Sequence, residues 1–219
     1  MTLNGRFLTF EGVDGAGKST HLEWVAEYLR SHGVSVLLTR EPGGTAIGER
    51  LRDLLLTEPM HLETETLLMF AARCEHLRTV IEPAIAKGQW VVCDRFTDAT
   101  YAYQGAGREL GVERVTSLQS WVHPNLEPDR TWLFDLDLGI ARERLTASRS
   151  LDRFEREDAA FFVRTRNGYH RLVQQAPERF MVVDASQSIE LIRVSLKRDL
   201  DCLLAKFANG NEKALAGEP

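Results

Sequence analysis

Short apolar runs alternate with longer stretches of helical period along the whole chain. The segments Arg6–Phe10, Ser35–Leu38, Trp90–Cys93, Thr131–Phe134 and Met181–Val183 are brief and mostly apolar, and they predict strands. Between and after them, apolar positions recur at helical spacing over Leu22–His32, Ala46–Leu56, Glu63–Ala86, Val112–Val122, Leu138–Ser148, Asp158–Gln175 and Ile189–Phe207. Strand–helix alternation of this kind predicts an α/β fold, with a five-stranded parallel sheet flanked by helices on both faces. Ligands of such sheets sit at the carboxyl ends of the strands. Four of the five candidate strands run into a polar residue there: Glu11, Arg40, Asp94 and Asp135. With no internal repeat and no low-complexity linker, residues 1–208 read as one domain. The stretch 209–219 is poor in apolar periodicity and is expected to fray.

The first turn after a predicted strand changes the picture most. Gly12-Val13-Asp14-Gly15-Ala16-Gly17-Lys18-Ser19-Thr20 places four residues between two glycines and then Lys-Ser, at the entry to a helical segment from about Lys18. This is the phosphate-loop pattern in its proper strand–loop–helix setting. Glycines let successive N–H groups turn inward around a polyphosphate, and the helix N-terminus adds partial positive charge. Lys18 can reach the outer phosphates and the Ser19 hydroxyl can ligate Mg²⁺. A nucleoside triphosphate with Mg²⁺ is therefore the expected ligand, and the fold class narrows to a P-loop NTPase.

Composition removes other options. Net charge is −5, which gives no footprint for a nucleic-acid duplex. Hydrophobic residues make up 43%, enough for a substantial core, yet no apolar run reaches membrane-spanning length. The N-terminus lacks the layout of a signal peptide. Cys74, Cys93 and Cys202 are odd in number and widely spaced, so they read as reduced thiols, and a cytoplasmic protein is expected. The six histidines show no metal-ligand spacing. Mg²⁺ arriving with the nucleotide is the metal expected.

The remaining candidate chemistry lies at the other strand ends. Thr39-Arg40-Glu41-Pro42-Gly43-Gly44-Thr45 forces a defined turn after the second strand, and it serves equally well as a ligand edge or as an ordinary connection. Asp94-Arg95-Phe96 offers a carboxylate for the Mg²⁺ shell beside a guanidinium for a phosphate. Asp135 competes for the metal, but no arginine adjoins it. Phe70 and Arg73 share a helix face and suit a flat heterocycle, although a core phenylalanine covered by an arginine is the commoner arrangement. Tyr101-Ala102-Tyr103-Gln104-Gly105 reads as a turn with partly buried rings, or as a binding surface. The segment from Arg142 to Arg156 carries Arg142, Arg144, Arg149, Arg153 and Arg156. It reads as a solvated connector or as a mobile lid. Phosphoryl transfer favours the lid, because an arginine supplied in cis is worth about 10³-fold or more in that reaction. The phosphate loop has no arginine of its own.

Taken in order, these segments resemble the thymidylate kinase family, in its bacterial type with lid arginines. The motifs that carry the resemblance are Phe10-Glu-Gly-Val-Asp-Gly-Ala-Gly-Lys-Ser-Thr20, Thr39-Arg-Glu-Pro-Gly-Gly-Thr45, Asp94-Arg95-Phe96, Ala102-Tyr-Gln-Gly105 and Asp152-Arg-Phe-Glu155. The resemblance spans nearly the whole chain, to about Ala208. It implies transfer of the γ-phosphoryl group of ATP to dTMP, with a homodimeric assembly. It also implies that Phe70 stacks on thymine, Arg73 binds its O4 edge and Arg95 holds the acceptor phosphate. Tyr103 would crowd the sugar 2′ position, with Gln104 and Thr100 near the base, Asp14 near the sugar or metal, and Arg40, Glu41 and Pro42 at the acceptor site. Arg149 and Arg153 would come from a lid at about 142–156, and Ser186 and Gln187 would line the adenine. Phe96 stands where a tyrosine is common. A GTP-binding switch would need an Asn-Lys-x-Asp element, which the sequence lacks. A kinase for another nucleotide is separated from this reading only by the resemblance itself.

Overall fold

A computed structural model describes residues 5–148 and 152–216. Five strands, β1 (Arg6–Glu11), β2 (Val36–Arg40), β3 (Trp90–Asp94), β4 (Arg130–Asp135) and β5 (Phe180–Asp184), form one parallel sheet in the order β2-β3-β1-β4-β5. Each predicted strand is present and extends a residue or two further. In β1, β2, β3 and β4 that extension takes in the polar residue at the carboxyl edge. In-register pairing continues through Arg40 and Asp94, so these residues belong to the ladder itself.

Alternation along the strands splits the core in two. Leu8, Phe10, Trp90, Val92, Trp132 and Phe134 face one side, where helices α1 (Lys18–Ser31) and α9 (Ile189–Ala216) cover them. Phe7, Val91 and Cys93 face the other, against α3 (Leu62–His76) and α6 (Val112–Val122). Burying both faces of a parallel sheet is the arrangement that alternating strands and amphipathic helices require. The remaining helices are α2 (Ala46–Thr57), α4 (Glu82–Ala86), α5 (Thr97–Thr100), α7 (Leu138–Ser148) and α8 (Ala159–Gln175). Thr45 caps α2 by accepting from Gly48 N–H at 2.8 Å, and Asp158 caps α8 by accepting from Phe161 N–H at 2.7 Å.

Three stretches differ from the sequence expectation. The predicted helix 63–86 is interrupted by a π-helical turn, Leu77–Ile81, just before Pro83. Proline supplies no N–H to a carbonyl four residues back, and the ladder widens where that bond is missing. The Tyr101–Gly105 segment, more readily expected as a turn, belongs to a π-helical run Tyr101–Gly107 that continues α5. This run packs closely on α8. A Cβ on Gly107 would lie 2.4 Å from Thr165 Oγ1, and one on Gly168 would lie 2.9 Å from Ala106 Cβ. At the C-terminus, α9 runs on to Ala216 rather than stopping near Phe207.

Candidate active site

The carboxyl ends of β1 and β3 bring the two most distinctive motifs together. The loop after β1 carries Gly12, Gly15 and Gly17 at positive φ. A Cβ on Gly12 would meet the Phe134 carbonyl oxygen at 2.3 Å, so only glycine lets the chain turn here. Lys18 is buried and folds back over the loop, donating to the Gly12 and Val13 carbonyls at 2.9 and 3.0 Å. Burial lowers its pKa, and the neighbouring Arg95 charge lowers it further. Ala16 is buried, whereas Ser19 and Thr20 are exposed at the start of α1.

Arg95 follows β3 in the left-handed region, at φ 67. For an arginine this conformation is strained and needs support from its surroundings. Its guanidinium donates to Asp14 Oδ1 at 2.6 Å, to the Tyr103 hydroxyl at 3.1 Å and to the Tyr169 hydroxyl at 3.1 Å. Tyr169 in turn donates to Glu11 Oε2 at 2.7 Å, and Glu11 Oε1 accepts from Phe96 N–H at 2.7 Å. Burial, with the charge of Asp98, pushes the Glu11 carboxyl up to about 8 against the opposing pull of Arg95. Burial would also raise Asp14, but the charges of Arg95 and Lys18 outweigh it and hold that carboxyl well below the usual range. A fixed cation thus stands beside the phosphate loop, shared with an ionised carboxylate.

Of the two metal candidates, Asp135 is engaged elsewhere. It accepts both prongs of Arg166 at 2.6 and 2.7 Å and lies 3.3 Å from His170. Asp94 Oδ1 is buried with no protein partner. An orphaned carboxylate oxygen at a strand end beside a phosphate loop suits a hard divalent cation or its water shell.

Next to Arg95 opens a cavity of about 100 Å³. Asp14, Glu41, Pro42, Arg73, Arg95, Thr100, Tyr103 and Gln104 all line it, so most of the sequence-predicted acceptor residues converge on one space. Glu41 sits beside a cis Glu41–Pro42 bond and is buried. It accepts from Arg73 Nε at 2.7 Å and pairs with His76 Nδ1 at 3.0 Å. Burial works against ionisation of Glu41, but the charge of Arg73 prevails and lowers its pKa. Arg73 further donates to Thr100 Oγ1 and to the Phe96 carbonyl, each at 3.1 Å. That fixes the plane of the guanidinium at the cavity wall.

Three expected residues, Phe70, Arg40 and Arg153, are placed away from the expected contacts. Phe70 is 2% exposed and does not line the cavity; it is a core ring in the layer with Phe7 and Phe96, under the Arg73 guanidinium at 4.8 Å. The neighbouring Met69, four residues before Arg73 and not three, lines the cavity instead. Arg40 points to the surface and pairs with Glu49 at 2.8 Å. Arg153 is docked on α2 and α3 rather than at the phosphate loop: it donates to the Leu55 carbonyl at 2.8 and 3.0 Å and lies 2.7 Å from Glu65 Oε2. The last turn of a helix presents partial negative charge, and a buried carboxylate adds a full one. Arg149 lies outside the described residues. Ser186 and Gln187 form an exposed turn after β5, held by Asp184, with Arg144 of α7 donating to the Ala185 carbonyl at 3.1 Å.

Sequence reasoning missed Arg52, Met69, Asp152, Phe154 and Tyr169. The first four line the cavity, and Tyr169 touches Arg95. Spacing gave a signal for Met69 alone, as the other apolar residue sharing a helix face with Arg73.

A phosphate loop, a strained arginine at the end of the neighbouring strand β3 and an open pocket beside both suit phosphoryl transfer between two ligands. The family model for thymidylate kinase matches residues 10–196. The chain belongs to the thymidylate kinase family. A thymidylate kinase from Bordetella pertussis is 62% identical over 208 residues, covering 95% of this chain and all of the relative. One from Cupriavidus metallidurans is 59% identical over 195 residues, covering 89% of this chain and 97% of the relative. Among solved structures, thymidylate kinase from Ehrlichia chaffeensis superposes with a TM-score of 0.74 at 32% identity, covering 90% of this chain and 99% of that one. The thymidylate kinase chain described here is thus an enzyme of phosphoryl transfer to a nucleoside monophosphate.

Proposed function

We propose that the two adjoining sites divide the reaction between them: ATP lies on the phosphate loop and dTMP fills the cavity beside Arg95. The enzyme transfers the γ-phosphoryl group of ATP to dTMP, giving dTDP and ADP. The observation that carries the division is Arg95, which faces the cavity from beside the phosphate loop and is held there by Asp14, Tyr103 and Tyr169. In this reading Arg95 grips the acceptor phosphate and Lys18 the donor. The acceptor phosphate is already an anionic nucleophile at neutral pH, so alignment and charge neutralisation replace a strong general base. Ser19 and Asp94 would hold Mg²⁺, which supplies charge neutralisation at the phosphates.

Arg73 donates towards the base and Gln104 stands beside it, with Met69 and Pro42 as apolar walls and Tyr103 at the sugar. Lid arginines complete the cation set when the lid closes, which for Arg153 means leaving the Leu55 carbonyl and Glu65: Arg149→Ala and Arg153→Ala, alone and together, are expected to lower turnover more than dTMP affinity. Unchanged turnover in all three variants removes that assignment. The three free thiols and the nature of the substrates suit a cytoplasmic enzyme. Among the described residues no helix is long and apolar enough to cross a membrane. A homodimer is supported by the outer face of α3 and α6. There Leu67 and Trp121 are 54% and 79% exposed, and Glu63 pairs with Arg114 at 3.5 Å.

A coupled assay with ATP/Mg²⁺ against dTMP, dUMP, dCMP and UMP tests the reading. The expected result is fastest diphosphate formation with dTMP. If no acceptor is phosphorylated faster than ATP alone is hydrolysed, the reading fails.

A further inference from the structure

Glu65 lies on α3 and is 1% exposed, and nothing in the phosphoryl-transfer chemistry calls for a carboxylate there. It faces three donors. Gln104 Nε2 donates to its Oε1 at 2.7 Å, Arg108 Nε lies 3.0 Å from the same oxygen, and Arg153 Nη1 lies 2.7 Å from Oε2. All three partners present N–H groups, so both carboxyl oxygens of Glu65 act as acceptors. Acceptor oxygens of this kind capture the NH₂ end of the Gln104 amide. The carbonyl end is then the one available to the cavity that Gln104 lines.

An amide that can flip recognises either a donor or an acceptor, whereas one pinned by a carboxylate recognises only a donor. Arg73 lines the same cavity, and its guanidinium carries five N–H donors, more than the three that Glu41, Thr100 and the Phe96 carbonyl engage. A wall with a donor at one point and an acceptor at the next matches the imide edge of a 4-oxopyrimidine, C=O followed by N–H. It mismatches a 4-aminopyrimidine, whose edge is reversed. We propose that Glu65 is a specificity-determining positioning residue: it orients the Gln104 amide so that the cavity accepts 4-oxopyrimidine nucleotides and rejects 4-aminopyrimidine ones. The same carboxylate receives Arg153, so lid docking and amide orientation are set by one group.

This rests on the reading that the cavity takes the pyrimidine of the acceptor. The test compares kcat/KM for dTMP, dUMP and dCMP, with ATP and Mg²⁺, in the wild type, Glu65→Gln, Glu65→Asp and Gln104→Met. In Glu65→Gln the preference for dTMP over dCMP is expected to fall about tenfold or more, the size of one mispaired buried hydrogen bond. The ratio of dTMP to dUMP should stay unchanged, because both bases present the same edge. Glu65→Asp, which keeps the charge, should restore part of the preference. A uniform fall for all three acceptors, with the dTMP to dCMP ratio intact, overturns the proposal. If Glu65→Gln does not fold, Gln104→Met decides, since it removes both ends of the amide without changing charge; an intact ratio there also overturns it. Met69→Ala separates the two levels. An unchanged KM for dTMP in that variant overturns the cavity reading itself.

Discussion

The phosphate end and the acceptor wall of this enzyme are built in opposite ways. The phosphate end is one continuous turn, Gly12 to Ser19, in which Gly12 and Gly15 are each required by a carbonyl oxygen 2.3 Å from where a Cβ would stand. The acceptor wall is assembled from α2, α3, the loop after β2, the π-helical run after β3 and residues 152–154. Three of its polar groups are oriented by partners from other elements: Arg73 by Glu41, Gln104 by Glu65, Arg95 by Asp14 and Tyr169. Chemistry common to all P-loop enzymes is therefore local in sequence. The choice of acceptor is a property of tertiary structure.

The strongest way to break this division is at Lys18. Lys18→Met is expected to lower turnover by about 10²–10³-fold, the effect of losing one preorganised charge at the transferring group. Binding of dTMP to the free enzyme, measured by calorimetry, should be nearly unchanged. Equal loss of dTMP affinity would show that the two regions are not separate.

A smaller effect sharpens the acceptor wall. Met69→Ala is expected to raise KM for dTMP by about tenfold, from lost apolar contact, with KM for ATP unchanged. Phe70→Leu should instead lower the melting temperature by several degrees, about 1 kcal/mol of core packing in kind, with KM for dTMP held. The reverse pattern would return the base-contacting role to Phe70.

The smallest effect concerns Glu11, which supports Arg95 through Tyr169. Its carboxyl titrates near 8 in the folded enzyme against an ordinary value of 4.5. Between these values the folded state holds a proton that the unfolded chain has released, so this group's contribution to stability falls as pH rises from 4.5 to 8. Denaturant titrations of wild type and Glu11→Gln across that range should converge at low pH. They should separate progressively between about pH 4.5 and 8, the wild type declining more steeply there, and run parallel above pH 8. Parallel curves would mean that Glu11 titrates normally.

The same contrast explains what was legible in the sequence. All five strands and the switch of sheet faces followed from alternation at Phe7, Leu8, Trp90 and Val91, because burial on both sides leaves little other choice. The placement of Lys18, Ser19, Asp94 and Arg95 by the carboxyl ends of β1 and β3 followed from the strand pattern. Phe70 did not, because positions 69 and 70 both lie near the Arg73 face and only the packing under Phe7 and Phe96 decides between them. Arg153 was recognised as a candidate phosphate ligand from charge density. Its partners, the Leu55 carbonyl and Glu65, lie 98 and 88 positions away and leave no local trace. Tyr169 was invisible for the same reason: one hydroxyl on a helix, meaningful only where it meets Arg95 and Glu11.

The crystal structure of the enzyme with dTMP tests the central claim most directly. The base is expected in the cavity against Met69, its O4 within hydrogen-bond distance of Arg73, its N3 facing the Gln104 carbonyl and its phosphate on Arg95, with Phe70 out of contact. A base stacked on Phe70, or a phosphate bound away from Arg95, would contradict it.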